Sequence, residues 1–149
     1  MKSWQKILFI GIIIVFIIGV LAIIFVPNIV RENSDVYKLD KNESIASVKS
    51  VVGKRSITSY SKESSSGEVT LKYEYKSDTA VEDVQKYIDY LLDKEGFHTV
   101  EHDIDFDNVP GEAVVGKDSS DDGSIIVLRV KYEKSAFTVT IEKFEGSWT

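Results

Sequence analysis

The sequence predicts an α+β protein: an N-terminal transmembrane helix, then a two-layer domain in which one main helix packs on an antiparallel sheet of five or six strands. Three observations carry that expectation. Residues 7–26 hold no charge, amide or hydroxyl. Val81, Val84, Tyr87, Ile88, Leu91 and Leu92 recur at helical spacing. Several later stretches, beginning with Val69–Lys76, alternate apolar and polar residues as half-buried strands do.

The apolar run reads ILFIGIIIVFIIGVLAIIFV from Ile7 to Val26. At about 1.5 Å rise per residue it reaches about 30 Å, the thickness of a hydrocarbon core. Its Ile, Leu, Phe and Val residues, at about −0.3 to −0.6 kcal/mol each, sum to about −5 to −7 kcal/mol or better for insertion. Trp4, between Lys2 and Lys6, suits the headgroup layer. Pro27 lacks a backbone donor and biases Val26 out of the α region, which stops the helix. A cleaved signal peptide fits less well, because its apolar core spans about 7–15 residues and no small-x-small site precedes Pro27. The chain has no cysteine to lipidate. The short basic tail, residues 1–6, is expected in the cytoplasm and everything after the helix outside it. Gly11, Val15, Gly19 and Ala22 share one helix face and form a candidate packing surface, for a homodimer or for the other helices of a larger membrane complex.

Beyond Pro27 lie 16 basic and 24 acidic residues, a balance of −8. Such a charge disfavours nucleic acid as a partner and keeps the domain off an anionic lipid surface. Without cysteines the fold has neither disulfides nor thiolate chemistry and rests on its apolar core.

Residues 27–42 read as a stalk and residues 43–149 as the extracytoplasmic domain. Ile45, Val48, Val51 and Val52 predict a short helix over Glu43–Val52, ended by Gly53. Lys54–Lys62 and Glu68–Lys76 read as a hairpin around a turn at Ser64–Gly67. Thr79 with Glu82 forms a capping-box pattern before the main helix, and Gly96 followed by Phe97 is its stop signal. Four more strands are expected at Thr99–Phe106, Glu112–Lys117, Ser124–Tyr132 and Ala136–Phe144. Between them Val109-Pro110-Gly111 suits a type II turn, and Asp121-Asp122-Gly123 and Glu133–Ser135 suit tight hairpins.

Three stretches resemble chemistry. His98-Thr99-Val100-Glu101-His102 matches the H-x-x-E-H pattern of inverted zinc peptidases, a motif that works on a helix. Here it alternates as a strand, which sets the two histidine Cα atoms about 13 Å apart, too far for two bonds of about 2 Å to one zinc. Asp118–Ile125 follows the opening of an EF-hand calcium loop, but Arg129 stands where the bidentate glutamate belongs and strands flank the loop. Glu101, Asp103, Asp105 and Asp107 are expected on the polar face of one strand, in a region (101–149) holding 5 basic against 11 acidic residues. A solvated edge that discourages aggregation explains them, and the sharper reading is a candidate docking face for a basic protein, peptide or wall polymer. Asn42-Glu43-Ser44 is a glycosylation acceptor in a eukaryotic secretory pathway.

An apolar N-terminal helix feeding a small α/β head is similar in architecture to type IV pilin subunits. The glycine-containing processing site and the acid inside the apolar run that this family uses are replaced here by Lys6 and by an uncharged stretch. With no nucleophile elbow, phosphate loop or dinucleotide turn in the chain, the expectation is a single-pass membrane protein displaying a small non-catalytic domain for recognition or assembly, with no cofactor. A subunit of a membrane complex is the alternative, and a carboxylate-based enzyme a third reading.

Overall fold

The computed structural model describes residues 34–100, 103–121 and 123–148. The expected tail 1–6, the transmembrane helix 7–26 and the Gly11, Val15, Gly19 and Ala22 face lie outside the described residues. Among those described, no helix is long and apolar enough to cross a membrane.

The folded unit starts at Ser34, earlier than the sequence suggested. Strands β1 (Val36–Lys38) and β2 (Ser44–Ala46) form a two-stranded antiparallel sheet, with Tyr37 opposite Ile45. The end of the expected stalk is therefore part of the domain. Tyr37 and Leu39 are buried, worth about 1.5–3 kcal/mol each, and together with the β1–β2 pairing they tie this short segment to the core. The helix expected over Glu43–Val52 is correspondingly shorter. Pairing claims Ser44–Ala46, and helix α1 spans Val48–Val52 behind Ser47, whose Oγ accepts the Ser50 N–H at 3.3 Å. Gly53, at φ 93°, ends it as expected.

The main sheet has six antiparallel strands in the order β3-β4-β8-β7-β6-β5. They are β3 (Ser56–Ser65), β4 (Glu68–Lys76), β5 (His98–Thr99), β6 (Gly111–Asp118), β7 (Ser124–Tyr132) and β8 (Ala136–Glu145). Ser66 and Gly67, both at positive φ (49° and 86°), make the two-residue turn between β3 and β4. Helix α2 (Ala80–Lys94) lies across one face of the sheet, burying Val84, Tyr87, Ile88 and Leu91 against Leu71, Tyr73, Tyr75, Val139, Ile141, Leu128 and Val115. The α+β architecture is thus as expected, dominated by the sheet, with two helices among the described residues.

Local details of α2 divide. Gly96 at φ 74° turns the chain so that the Phe97 N–H reaches the Leu91 carbonyl at 3.2 Å, and Phe97 is buried, so the stop signal works as expected. The capping box does not form. The Thr79 side chain makes no cap bond; the Ser77 Oγ accepts the Thr79 N–H at 3.2 Å instead, while Arg55 draws in Asp83 with bonds of 2.6 and 2.7 Å. The Thr79 hydroxyl itself lies 3.2 Å from the Ser77 hydroxyl.

Two further expectations are corrected. Among the described residues, the strand expected over Thr99–Phe106 pairs only at His98 and Thr99, with one more bond from the Val100 N–H to the Val114 carbonyl. Residues 103–110 are irregular, although Ile104, Phe106 and Val109 still pack against the core. The alternating pattern there records a loop draped over apolar surface. At the expected type II turn the Val109–Pro110 peptide is cis, and Gly111 opens β6, where an added Cβ would stand 2.3 Å from the Tyr132 hydroxyl.

The opposite face of the sheet carries a second, smaller core of Val114, Ile125 and Val127, flanked by Val100, Phe144 and Trp148. Trp148 lies over Gly116, where an added Cβ would come within 2.3 Å of the indole, and meets the His98 ring edge-to-face at 4.8 Å between centroids.

Candidate functional site

Among the described residues, ionisable side chains converge most closely at the end of β8. Phe137, Val139, Ile141 and Lys143 are the inward residues of that strand, so the strand's own alternation places Lys143 where an apolar residue is expected. Only 4 % of it is exposed. Its ammonium group donates to Asp40 at 2.6 Å, lies 3.2 Å from Glu43 and also bonds Asp121. These partners come from the β1–β2 turn and the β6–β7 loop, brought together only by the tertiary fold. Glu43 is itself buried; it accepts the Ser119 hydroxyl and the Ser120 N–H, the latter at 3.1 Å. Asp40 closes its own turn by accepting the N–H groups of Asn42 and Glu43 at 2.8 and 3.0 Å.

The electrostatics follow from the geometry. Burial works against the charged form of Lys143, yet the bonds to Asp121, Asp40 and Glu43 outweigh it and hold the ammonium above its ordinary range. The Lys143 bond is the leading reason Asp40 lies below the usual carboxylate range. Burial pushes Glu43 up, but Ser119, Ser120 and Lys143 together bring it below its ordinary value. The cluster is thus an ionised clasp over the neutral pH range. Asp40, Glu43 and Asp121 have ligand oxygens within 4.8 Å of one another, a spacing that suits a cation, and the Lys143 ammonium occupies that role.

The second buried carboxylate is handled alike. Burial raises Asp83, whereas the Arg55 fork and the Ser77 hydroxyl pull it down, for a net lowering. The tyrosine hydroxyls at the core are spent on structure. The Tyr37 and Tyr75 hydroxyls are 2.6 Å apart, Tyr37 accepts the Val48 N–H at 3.2 Å, and Tyr87 donates to the Ala46 carbonyl at 2.8 Å. Burial pushes the Tyr75 hydroxyl up to about 12 and those of Tyr37 and Tyr87 well above their ordinary value, so all three stay protonated.

The residues singled out from sequence are distributed differently. Asp103, Asp105 and Asp107 are exposed, on the irregular segment before β6 instead of on a strand, and Glu101 lies outside the described residues. Asp105 is partly engaged by its own loop, accepting the Asp107 N–H at 3.0 Å, while the Tyr132 hydroxyl donates to its carbonyl at 2.8 Å. Of the H-x-x-E-H stretch, His98 is an exposed residue of β5 beside Trp148, and Glu101 and His102 are outside the described residues. In the calcium-like loop, Asp121 is bound to Lys143, and Ser119 and Ser120 point their donors at Glu43. That loop contributes to the clasp. An open groove of about 640 Å³ runs along Gly111, Glu112, Lys131, Tyr132 and Thr138, where Glu112 is already paired with Arg129. Sequence reading missed Lys143, Asp40 and Glu43; the one local signal was a lysine on the apolar side of an otherwise regular strand.

Compared with known proteins, the chain matches no family model, no curated protein and no solved structure at a significant level.

Proposed function

We propose that this chain is a single-pass membrane protein that holds a small non-catalytic α+β domain outside the cytoplasm for recognition or assembly. The observation that carries the reading is the uncharged stretch from Ile7 to Val26, whose length and composition fit a bilayer core. A self-contained folded unit begins soon afterwards at Ser34. A non-catalytic role is supported by the state of the ionisable groups. The buried carboxylates Glu43 and Asp83 are neutralised by Lys143 and Arg55, and the buried tyrosines are held protonated in structural bonds. Recognition of a basic protein, peptide or wall polymer is supported by the balance of −8 beyond Pro27 and by the exposure of Asp103, Asp105 and Asp107. Ile104, Phe106 and Val109, packed on the core, fix the loop that presents these carboxylates.

Two measurements test the reading. Carbonate-washed membranes from cells expressing the full chain are expected to retain it, and protease added to intact cells or spheroplasts is expected to digest the domain; release of the chain by carbonate refutes the anchor. Capture of cationic peptide or wall polymer by the full chain is expected to fall when Asp103, Asp105 and Asp107 are changed together to Asn. Unchanged capture refutes the acidic face.

A further inference from the structure

The six-stranded sheet ends on two unlike edges. β5 is a two-residue strand and offers little backbone. β3 is ten residues long, contains no proline, and is exposed along most of its length. Ser65 and Glu68 close a two-residue turn and so exchange their backbone bonds. By alternation the N–H and C=O groups of Lys62 and Ser64 point away from β4. Such an edge templates another strand unless something guards it. Among the described residues the usual guards are weak. The register irregularity lies between Ile57 and Ser59, at one end of the strand. Lys62, the charge best placed to block the edge, is turned back over the domain, its ammonium reaching the carbonyls of Lys38 and Leu39 at 3.5 and 3.4 Å.

We propose that a second copy of this chain adds its β3 antiparallel to this one, about a two-fold axis through Ser61, so that the sheet continues across two molecules. Charge selects the occupant. With an excess of acid over the domain, most surfaces of two copies repel, whereas β3 carries one lysine, one glutamate and otherwise Ser, Thr, Ile and Tyr. A two-fold normal to the sheet keeps faces matched, which restricts the register to even steps. With Ser61 opposite Ser61, Lys62 meets Tyr60 and Glu63 meets Ser59, and no like charges face one another. Moving the axis one residue toward the turn sets Lys62 against Lys62, and one further sets Glu63 against Glu63. Such pairing goes beyond display of the domain and does not depend on the bilayer.

Because the chain has no cysteine, Ser61→Cys introduces a single thiol on the axis. Residues facing there form a non-hydrogen-bonded pair with Cα atoms about 4.5 Å apart, inside disulfide range. Mild oxidation of the full-length chain in detergent is expected to give a covalent dimer from Ser61→Cys and monomer from Ser65→Cys. Adding Lys62→Pro, which removes an outward donor that the β3–β4 ladder does not use, is expected to abolish the dimer with an unchanged thermal melt. Should that variant melt early, Ser61→Asp supplies a fold-neutral alternative at an exposed site. The wild-type chain is expected to sediment as a dimer and Ser61→Asp as a monomer. No cross-link at Ser61→Cys, equal cross-linking at Ser61→Cys and Ser65→Cys, or a dimer indifferent to Ser61→Asp overturns the proposal.

Discussion

Replacing Lys143 with Met tests the clasp directly, because Met keeps the volume of the stem and deletes the ammonium. What remains is Glu43, nearly buried, with Asp40 and Asp121 beside it and no cation among them. Removing one partner of a fully buried ion pair costs about 3–5 kcal/mol. Asp40 and Asp121 are 32 % and 49 % exposed and stay partly solvated, which reduces the expected loss to about 2–4 kcal/mol. In a domain of this size that lowers Tm by about 8–15 °C. The pH dependence has a definite sign. Asp40 and Glu43 are depressed in the folded state, so their contribution is present above the ordinary carboxylate range and is lost as pH falls through their folded values. Lys143 is raised, so its contribution is complete below the ordinary lysine value and fades only in strong alkali. The difference between wild type and Lys143→Met is therefore largest near neutrality and shrinks in acid, where the orphaned carboxylates take up protons. Urea unfolding at neutral pH and again in acid measures both quantities. A loss below about 0.5 kcal/mol at neutrality, the size of an exposed ion pair, or a difference that persists unchanged in acid, refutes the reasoning.

Other perturbations separate the remaining interactions. Tyr37→Phe strips a buried partner from the Tyr75 hydroxyl and from the Val48 N–H, and chemical denaturation is expected to show a loss of about 1–3 kcal/mol. Asp83→Asn leaves Arg55 half-buried without its fork partner; about 2–4 kcal/mol is expected, with the difference from wild type fading in acid, because Asp83 is depressed when folded. Gly116→Ala places a Cβ against the indole of Trp148, so near-UV circular dichroism is expected to report a displaced tryptophan and the domain to lose about 1–3 kcal/mol. An undisturbed indole signal in that variant shows that the tail does not rest on Gly116.

What the sequence determined by itself is what depends on neighbours a few residues away. Val69 to Lys76 alternates because one face is wet, and β4 forms over the range read from that pattern. The stripe from Val84 to Leu91 defines the buried side of α2, and Gly96 with Phe97 stops it, since a left-handed residue and one apolar contact are local requirements. The apolar run of residues 7–26 is equally a matter of composition.

Tertiary structure decided whatever depends on partners far along the chain. Ile104 and Phe106 alternate with aspartates as a strand does, but a strand exists only where another backbone accepts its bonds, and among the described residues of this stretch β6 bonds only His98, Thr99 and Val100. Thr79 and Glu82 satisfy the pattern of a capping box, yet Thr79 makes no cap bond and its hydroxyl lies against Ser77, which with the distant Arg55 holds Asp83. Val36, Tyr37 and Leu39 are apolar residues able to dock somewhere, but without a period nothing local says where, and nothing near Lys143 announces Asp40, more than a hundred residues away in sequence. Periodicity records which side of a segment meets water; only the assembled chain supplies the charge or backbone that meets the other side.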